Sequence, residues 1–114
     1  MKLLIVEDSL PVRQILRSVV SPIADEIDEC GDGGEAVSRY AIDQPDFVLM
    51  DIDLGEMDGI AATRKIRATD PNAKIIIVTN YDENDLREEA RQAGACGYVL
   101  KENLLDVLGL LQNQ

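Results

Sequence analysis

The sequence predicts a single α/β domain built on a parallel sheet, and three observations carry that prediction. Five short runs, at residues 2–6, 26–30, 47–50, 74–78 and 96–100, have strand length, and most are dominated by aliphatic side chains. Each is followed by a segment of about ten residues whose apolar positions recur at helical spacing. Strands alternating with helices in this way imply right-handed crossovers, a parallel sheet and helices on both of its faces. The length of 114 residues suits one domain and buries roughly 65% of the unfolded surface, enough for a core without staples.

Taken in order, residues 2–6 form the first strand and end at Glu7-Asp8. Ser9 is the expected N-cap of the helix that follows, with Pro11 in its first turn, where a missing N–H costs nothing. Val12, Ile15, Leu16 and Val19 supply its apolar spacing, and Pro22 ends it. Residues 26–30 alternate acidic side chains with Ile27 and Cys30, a pattern that an edge strand tolerates. Asp32-Gly33-Gly34-Glu35 resembles a capping box ahead of a short helix over 36–41. Phe47-Val48-Leu49-Met50 is a buried strand that runs straight into Asp51-Ile52-Asp53-Leu54-Gly55. Asp58 caps a helix carrying Ile60, Ala61 and Ile66 to about residue 68, and Asp70-Pro71-Asn72 is a turn. The β-branched run Ile75-Ile76-Ile77-Val78 emerges at Thr79-Asn80. Asp82 with Asp85 then caps and charges the start of a helix that Gly94 stops. A last strand over 96–100 emerges at Lys101, and a leucine-rich helix over 102–111 closes the chain.

Composition excludes several classes. Against 22 acidic residues stand 11 basic ones, a net charge of −11, which opposes nucleic-acid binding because phosphates need a positive surface. The same balance is compatible with a divalent cation or a basic partner. Two cysteines, Cys30 and Cys96, and no histidine make neither a disulfide framework nor a zinc site, so reduced thiols in a cytoplasmic protein are expected. They fall on the second and fifth strands. The Leu3-Leu4-Ile5-Val6 run is too short for a signal peptide or membrane span.

Four of the five strands end in a chemically capable residue: Glu7-Asp8, Asp51, Thr79 and Lys101. In a parallel sheet all of them emerge at one edge, where open α/β folds bind ligands. By itself Asp51 reads equally well as a residue that ends its strand and caps the next turn. Its company decides. The set of Glu7-Asp8, Asp51 within Met50-Asp51-Ile52-Asp53-Leu54-Gly55-Glu56-Met57-Asp58-Gly59, Thr79, and Lys101 after Gly97-Tyr98-Val99-Leu100 resembles the receiver domain of two-component response regulators over essentially residues 1–114.

The resemblance implies a flavodoxin-like (βα)5 doubly wound sheet of order 2-1-3-4-5, which sets four of the reactive strand ends side by side. It implies a Mg²⁺ (or Mn²⁺) ion with Asp8 and Asp51 as side-chain ligands, Asp53 through its backbone carbonyl and Glu7 through a water. Asp51 is then the phosphoacceptor, charged by a histidine kinase or phosphotransfer protein, with Lys101 neutralising charge. Thr79 and Tyr98 are the switch pair, and Asp53, Asn80 and Tyr81 tune the phosphate's lifetime. The domain hydrolyses its own phosphoryl group slowly and turns over no external substrate. The ending at Lys101 without a proline is similar to receivers that precede DNA-binding modules of transcriptional regulators.

Three positions depart from the family's commonest pattern. Gly55 stands where proline is usual, Asn80 where alanine or glycine is, and Glu102 where a proline, typically cis, follows the lysine. Leu104, Leu105, Leu108 and Leu111 form the expected core stripe of the last helix, leaving Val107 and Leu110 surplus for a partner, such as a second copy in a homodimer. Two rival readings stand beside the receiver. Asp51-Ile52-Asp53 also matches the Asp-x-Asp start of haloacid-dehalogenase-like phosphatases, although that signature belongs on a first strand, with more acidic ligands after the lysine than Glu102 and Asp106. The other is a receiver-like binding module that is never phosphorylated.

Overall fold

The structure, a computed structural model, describes residues 1–113. Strands β1 (Lys2–Val6), β2 (Glu26–Cys30), β3 (Phe47–Met50), β4 (Ile75–Thr79) and β5 (Gly97–Leu100) alternate with helices α1 (Leu10–Val20), α2 (Gly33–Asp43), α3 (Gly59–Thr69), α4 (Asn84–Ala93) and α5 (Asp106–Asn113). A 3₁₀ turn, Lys101–Asn103, separates β5 from α5. The sheet is parallel throughout, in the order β2-β1-β3-β4-β5. That is the flavodoxin-like topology the sequence resemblance implies.

Successive side chains along a strand point to opposite faces, so each strand feeds two cores. Val6, Val48, Met50, Ile75 and Ile77 pack with Ala36, Ile60, Ile66 and Ala90 from α2, α3 and α4. Leu3, Ile5, Leu49, Ile76 and Val78 pack with Leu16, Val20, Val107 and Leu111 from α1 and α5. The acidic edge strand β2 pairs along its length with β1, buries Cys30, and adds ion pairs to the flanking helices. Asp28 accepts from Arg39 of α2, and Glu29 pairs with Arg13 and Arg17 of α1.

Local expectations fare unevenly. Asp32 accepts from the Glu35 N–H at 2.7 Å and Asp58 from the Ala61 N–H at 2.8 Å, as their capping positions predict. The Glu35 side chain turns to Arg39 instead of closing the capping box, and α2 runs on to Asp43. Ser9 occupies the cap of α1 without a side-chain bond to it. Glu83, not Asp82, is the cap of α4, because Asp82 is taken by the Arg87 guanidinium.

Two helix faces are rotated from the sequence reading. In α1, Ile15 is 51% exposed and Val20 takes its place in the core. In α5, Val107 and Leu111 are buried whereas Leu105 is 71% exposed, so Leu105 and not Val107 is the surplus side chain. The intervening 3₁₀ turn is the reason. It delays the helix to Asp106 and turns Leu104, Val107 and Leu111, spaced i, i+3, i+7, toward the sheet. Leu110 and Leu108 are partly buried. Cys30 and Cys96 are both free thiols, at opposite edges of the sheet, as predicted. Among the described residues no helix is long and apolar enough to cross a membrane.

Candidate functional site

Strand register brings the reactive residues together. Val6 lies opposite Met50, and both neighbours extend the ladder by one residue. The Asp51 N–H donates to the Val6 carbonyl, and the Glu7 N–H donates to the Cys30 carbonyl, each at 3.0 Å. The side chains of Glu7 and Asp51 therefore leave adjacent strands side by side. Both are buried, at 1% and 4% exposure, while Asp8 next door is exposed. One carboxylate oxygen from each of Glu7, Asp8 and Asp51 lies within 4.8 Å of the others.

Lys101 arrives from the far side of the sheet. Its Nζ lies 3.0 and 3.2 Å from the Glu7 carboxylate oxygens and 3.2 Å from Asp51 Oδ2. The Lys101–Glu102 peptide is trans, since the described residues contain no cis bond, and the lysine reaches the pocket without the family's proline. The Ile52 N–H donates to Asp51 Oδ1 at 2.8 Å, so each oxygen of the Asp51 carboxylate has a partner.

The pocket is electrostatically unbalanced, with three carboxylates facing one ammonium. Burial is the main cause pushing the Glu7 carboxyl up to about 7, and the hydrogen bond and charge of Asp51 add to it while Lys101 opposes. Burial works against the Lys101 ammonium, but Glu7 and Asp51 outweigh it and hold its pKa above the ordinary lysine value. A cluster that drives one member toward its protonated form is one that a cation relieves. The donor set is all oxygen, with room on the exposed Asp8 side, which fits Mg²⁺ or Mn²⁺ and not a softer metal.

The loop after β4 closes one side. Thr79 is fully buried, and its hydroxyl accepts from the Tyr81 N–H at 3.3 Å. The Tyr81 hydroxyl donates to Asp53 Oδ2 at 2.6 Å, bridging the loops after β3 and β4, and Asn80 is exposed between them in sequence. From β5, the Tyr98 hydroxyl donates to the Tyr81 carbonyl at 2.7 Å, and its ring lies 4.6 Å under the Arg87 guanidinium. Glu7, Asp8, Asp51, Asp53, Thr79, Asn80, Tyr81 and Lys101 thus fall at one edge of the sheet or on the loops just beyond it, whereas Tyr98 lies within β5 opposite Ile77 and reaches that edge through its hydroxyl.

Two contributors escaped the sequence reading. Gly59 opens α3 against the loop after β3, where a Cβ would lie 1.9 Å from the Asp51 carbonyl oxygen. Its N–H donates to the Ile52 carbonyl at 2.9 Å. The sequence signal, a glycine directly after the Asp58 cap, was absorbed into the capping pattern. Arg13 donates to the Glu7 carbonyl from Nε at 3.1 Å and from Nη2 at 2.7 Å. An arginine amid the apolar spacing of α1 carries no signal of its own. Gly55, where proline is usual, sits at φ +82° in open space, a conformation the proline ring forbids.

The profile of the response regulator receiver domain matches residues 3–109. The chain belongs to this family. The receiver is 38% identical over 101 residues to the chemotaxis protein CheY of Thermotoga maritima, covering 88% of this chain and 84% of that one. It is 39% identical over 101 residues to the transcriptional regulatory protein PdtaR of Mycobacterium tuberculosis, covering 88% of this chain but 49% of PdtaR. It superposes with a TM-score of 0.87 and 27% identity on a chain of the CheX–CheY–BeF3–Mg²⁺ complex of Borrelia burgdorferi, covering 100% of this receiver and 90% of that chain. The receiver is accordingly a phosphorylation-dependent switch of a two-component system, of the kind found in both chemotaxis and transcription regulators.

Proposed function

We propose that Asp51 is the phosphoacceptor and that a histidine kinase or phosphotransfer protein supplies the phosphoryl group. The observation that carries this is the single Lys101 ammonium shared between the buried carboxylates of Asp51 and Glu7, with Asp8 alongside. Asp8 and Asp51 would hold Mg²⁺ (or Mn²⁺) through their side chains, with Asp53 contributing its carbonyl and Glu7 acting through a water. When bound, the ion would offset carboxylate repulsion and supply neutralisation of charge on the phosphoryl oxygens.

The remaining chemistry belongs to the chain. An Asp51 carboxylate oxygen attacks phosphorus as the bond to the donor breaks, and the electron pair leaves with the donor. Lys101 gives up its contact with Asp51 for the phosphoryl oxygens. The buried Thr79 hydroxyl donates to the phosphoryl group and so stops accepting from Tyr81. The loop after β4 shifts, the Tyr98 hydroxyl loses the Tyr81 carbonyl, and the face formed by α4, β5 and α5 changes shape.

Asp53, Asn80 and Tyr81 set the lifetime of the acyl phosphate. The Asp53–Tyr81 bridge across the mouth is the support for this reading. The domain turns over no external substrate and works in the cytoplasm, consistent with its free Cys30 and Cys96. Residues 1–114 form one receiver unit. A homodimer through the last helix rests on the exposed Leu105, which lines one groove with Gly109, in place of Val107.

The test is incubation with acetyl phosphate and Mg²⁺, followed by intact mass and acid-labile phosphate. One phosphoryl group per chain, absent in Asp51→Asn, supports the proposal. Continuous turnover of a phosphate ester points instead to a phosphatase, and no labelling points to a binding module.

A further inference from the structure

We propose that Arg13 is a positioning residue of the cation site, fixing through the Glu7 carbonyl the peptide that presents Asp8. The reading rests on the assignment of Asp8 and Asp51 as Mg²⁺ ligands. Glu7 is the point where β1 leaves the sheet. Its N–H still donates to β2, but its carbonyl has no strand partner and accepts twice from the Arg13 guanidinium, at 3.1 and 2.7 Å. A fork of two donors on one oxygen fixes the plane of the Glu7–Asp8 peptide, whereas a single donor leaves it free to rock.

The guanidinium is itself held. Glu29 of β2 lies 3.5 Å from Arg13 Nε, with side-chain exposures of 21% and 22% for the pair. Gly31 lies beside it, where a Cβ would stand in ordinary contact distance, 3.4 Å from Arg13 Nη2. That same Cβ would lie 4.0 Å from the Asp8 Cα, so arginine, glycine and the start of Asp8 share one corner. On α1, Arg13 N–H donates to the Ser9 carbonyl at 2.9 Å, which anchors the arginine to the first helical turn. Asp8 needs this support most, because it is the exposed member of the carboxylate cluster and lies beyond the end of β1, outside the sheet. A ligand's affinity depends on such outer contacts, whose loss commonly costs 10- to 100-fold.

Three roles for Arg13 give three different results in Mg²⁺ titration calorimetry at fixed ionic strength. As a positioning residue, Arg13→Ala weakens Mg²⁺ binding about tenfold or more, and Arg13→Lys, with its cation but without the fork, falls between Ala and wild type. As a mere counter-charge, Arg13→Ala tightens binding, because a positive charge near the ion has gone. As a mere strut between α1 and β1, it lowers the melting temperature while the folded protein binds Mg²⁺ as before. Either of the last two results overturns the proposal. Arg17→Ala is the control: Arg17 also pairs with Glu29, reaches no atom of Glu7, and its loss leaves the affinity unchanged. Should Arg13→Ala fail to fold, Arg13→Lys carries the test, with weaker binding in support and wild-type binding against. A wild-type chain that binds no Mg²⁺ defeats the ligand assignment itself, and the positioning role with it.

Discussion

Replacing Glu7 by glutamine should make the metal-free domain more stable at neutral pH and remove most of the pH dependence of its stability. The Glu7 carboxyl is ordinary in the unfolded chain, near 4.5, and is pushed up to about 7 in the fold, chiefly by burial and then by Asp51. Between those values the unfolded state has released its proton and the folded state has kept it. Stability therefore falls as pH rises from 4.5 to 7 and levels off above. The slope cannot exceed about 1.4 kcal/mol per pH unit, so the loss between pH 5 and 7.5 is at most about 3 kcal/mol.

The window is unusually clean. The chain has no histidine, and the carboxyls of Asp25, Asp28, Asp70 and Glu88, lowered by their partners, are already ionised throughout it. Urea denaturation in EDTA at pH 5 and pH 7.5 is the assay. Wild type should lose 1–3 kcal/mol across the interval, and Glu7→Gln should stay nearly flat and overtake wild type at pH 7.5. Saturating Mg²⁺ should then stabilise wild type more at pH 7.5 than at pH 5. A wild-type stability that is constant or rising from pH 5 to 7.5, or an equal slope in Glu7→Gln, would refute the argument.

Gly59→Ala must move α3 off the Asp51 carbonyl by more than an ångström to relieve the 1.9 Å approach, so we expect phosphorylation by acetyl phosphate to slow by roughly 100-fold, with a fall in stability. A rate within twofold of wild type would show that the loop absorbs the methyl group. Leu111→Ala should cost about 2–5 kcal/mol in urea unfolding and Leu105→Ala less than about 0.5, a contrast that disappears if α5 has the phase its leucines imply, which buries both. Tyr81→Phe removes the hydroxyl from Asp53 and should change the decay rate of phosphorylated Asp51, followed by loss of acid-labile phosphate; an unchanged rate separates the bridge from hydrolysis.

The α/β class and the parallel sheet were open to sequence reading because buried parallel strands and their helices write different periodicities into the chain, while the strand order is what the receiver resemblance implies. The aliphatic run Phe47-Val48-Leu49-Met50 and the carboxylate that ends it place Asp51 at the sheet's edge before any coordinates are known. Helix phase was less legible. Leucine repeats through residues 104–111 on more than one face, and composition cannot choose between faces when both are apolar. The 3₁₀ turn at Lys101–Asn103 makes the choice, burying Val107 and exposing Leu105.

The sequence by itself determined the α/β class, the parallel sheet and the list of groups that meet at one edge, because these follow from residue order and from the fact that parallel strands all point one way. Only the tertiary structure decided how those groups share their charges: Lys101 spread over Glu7 and Asp51, Glu7 driven toward protonation, Arg13 folded back on the Glu7 carbonyl, and Gly59 pressed against the Asp51 carbonyl. Those are effects of distance and burial between residues far apart in the chain, and neither quantity exists until the sheet has set its register.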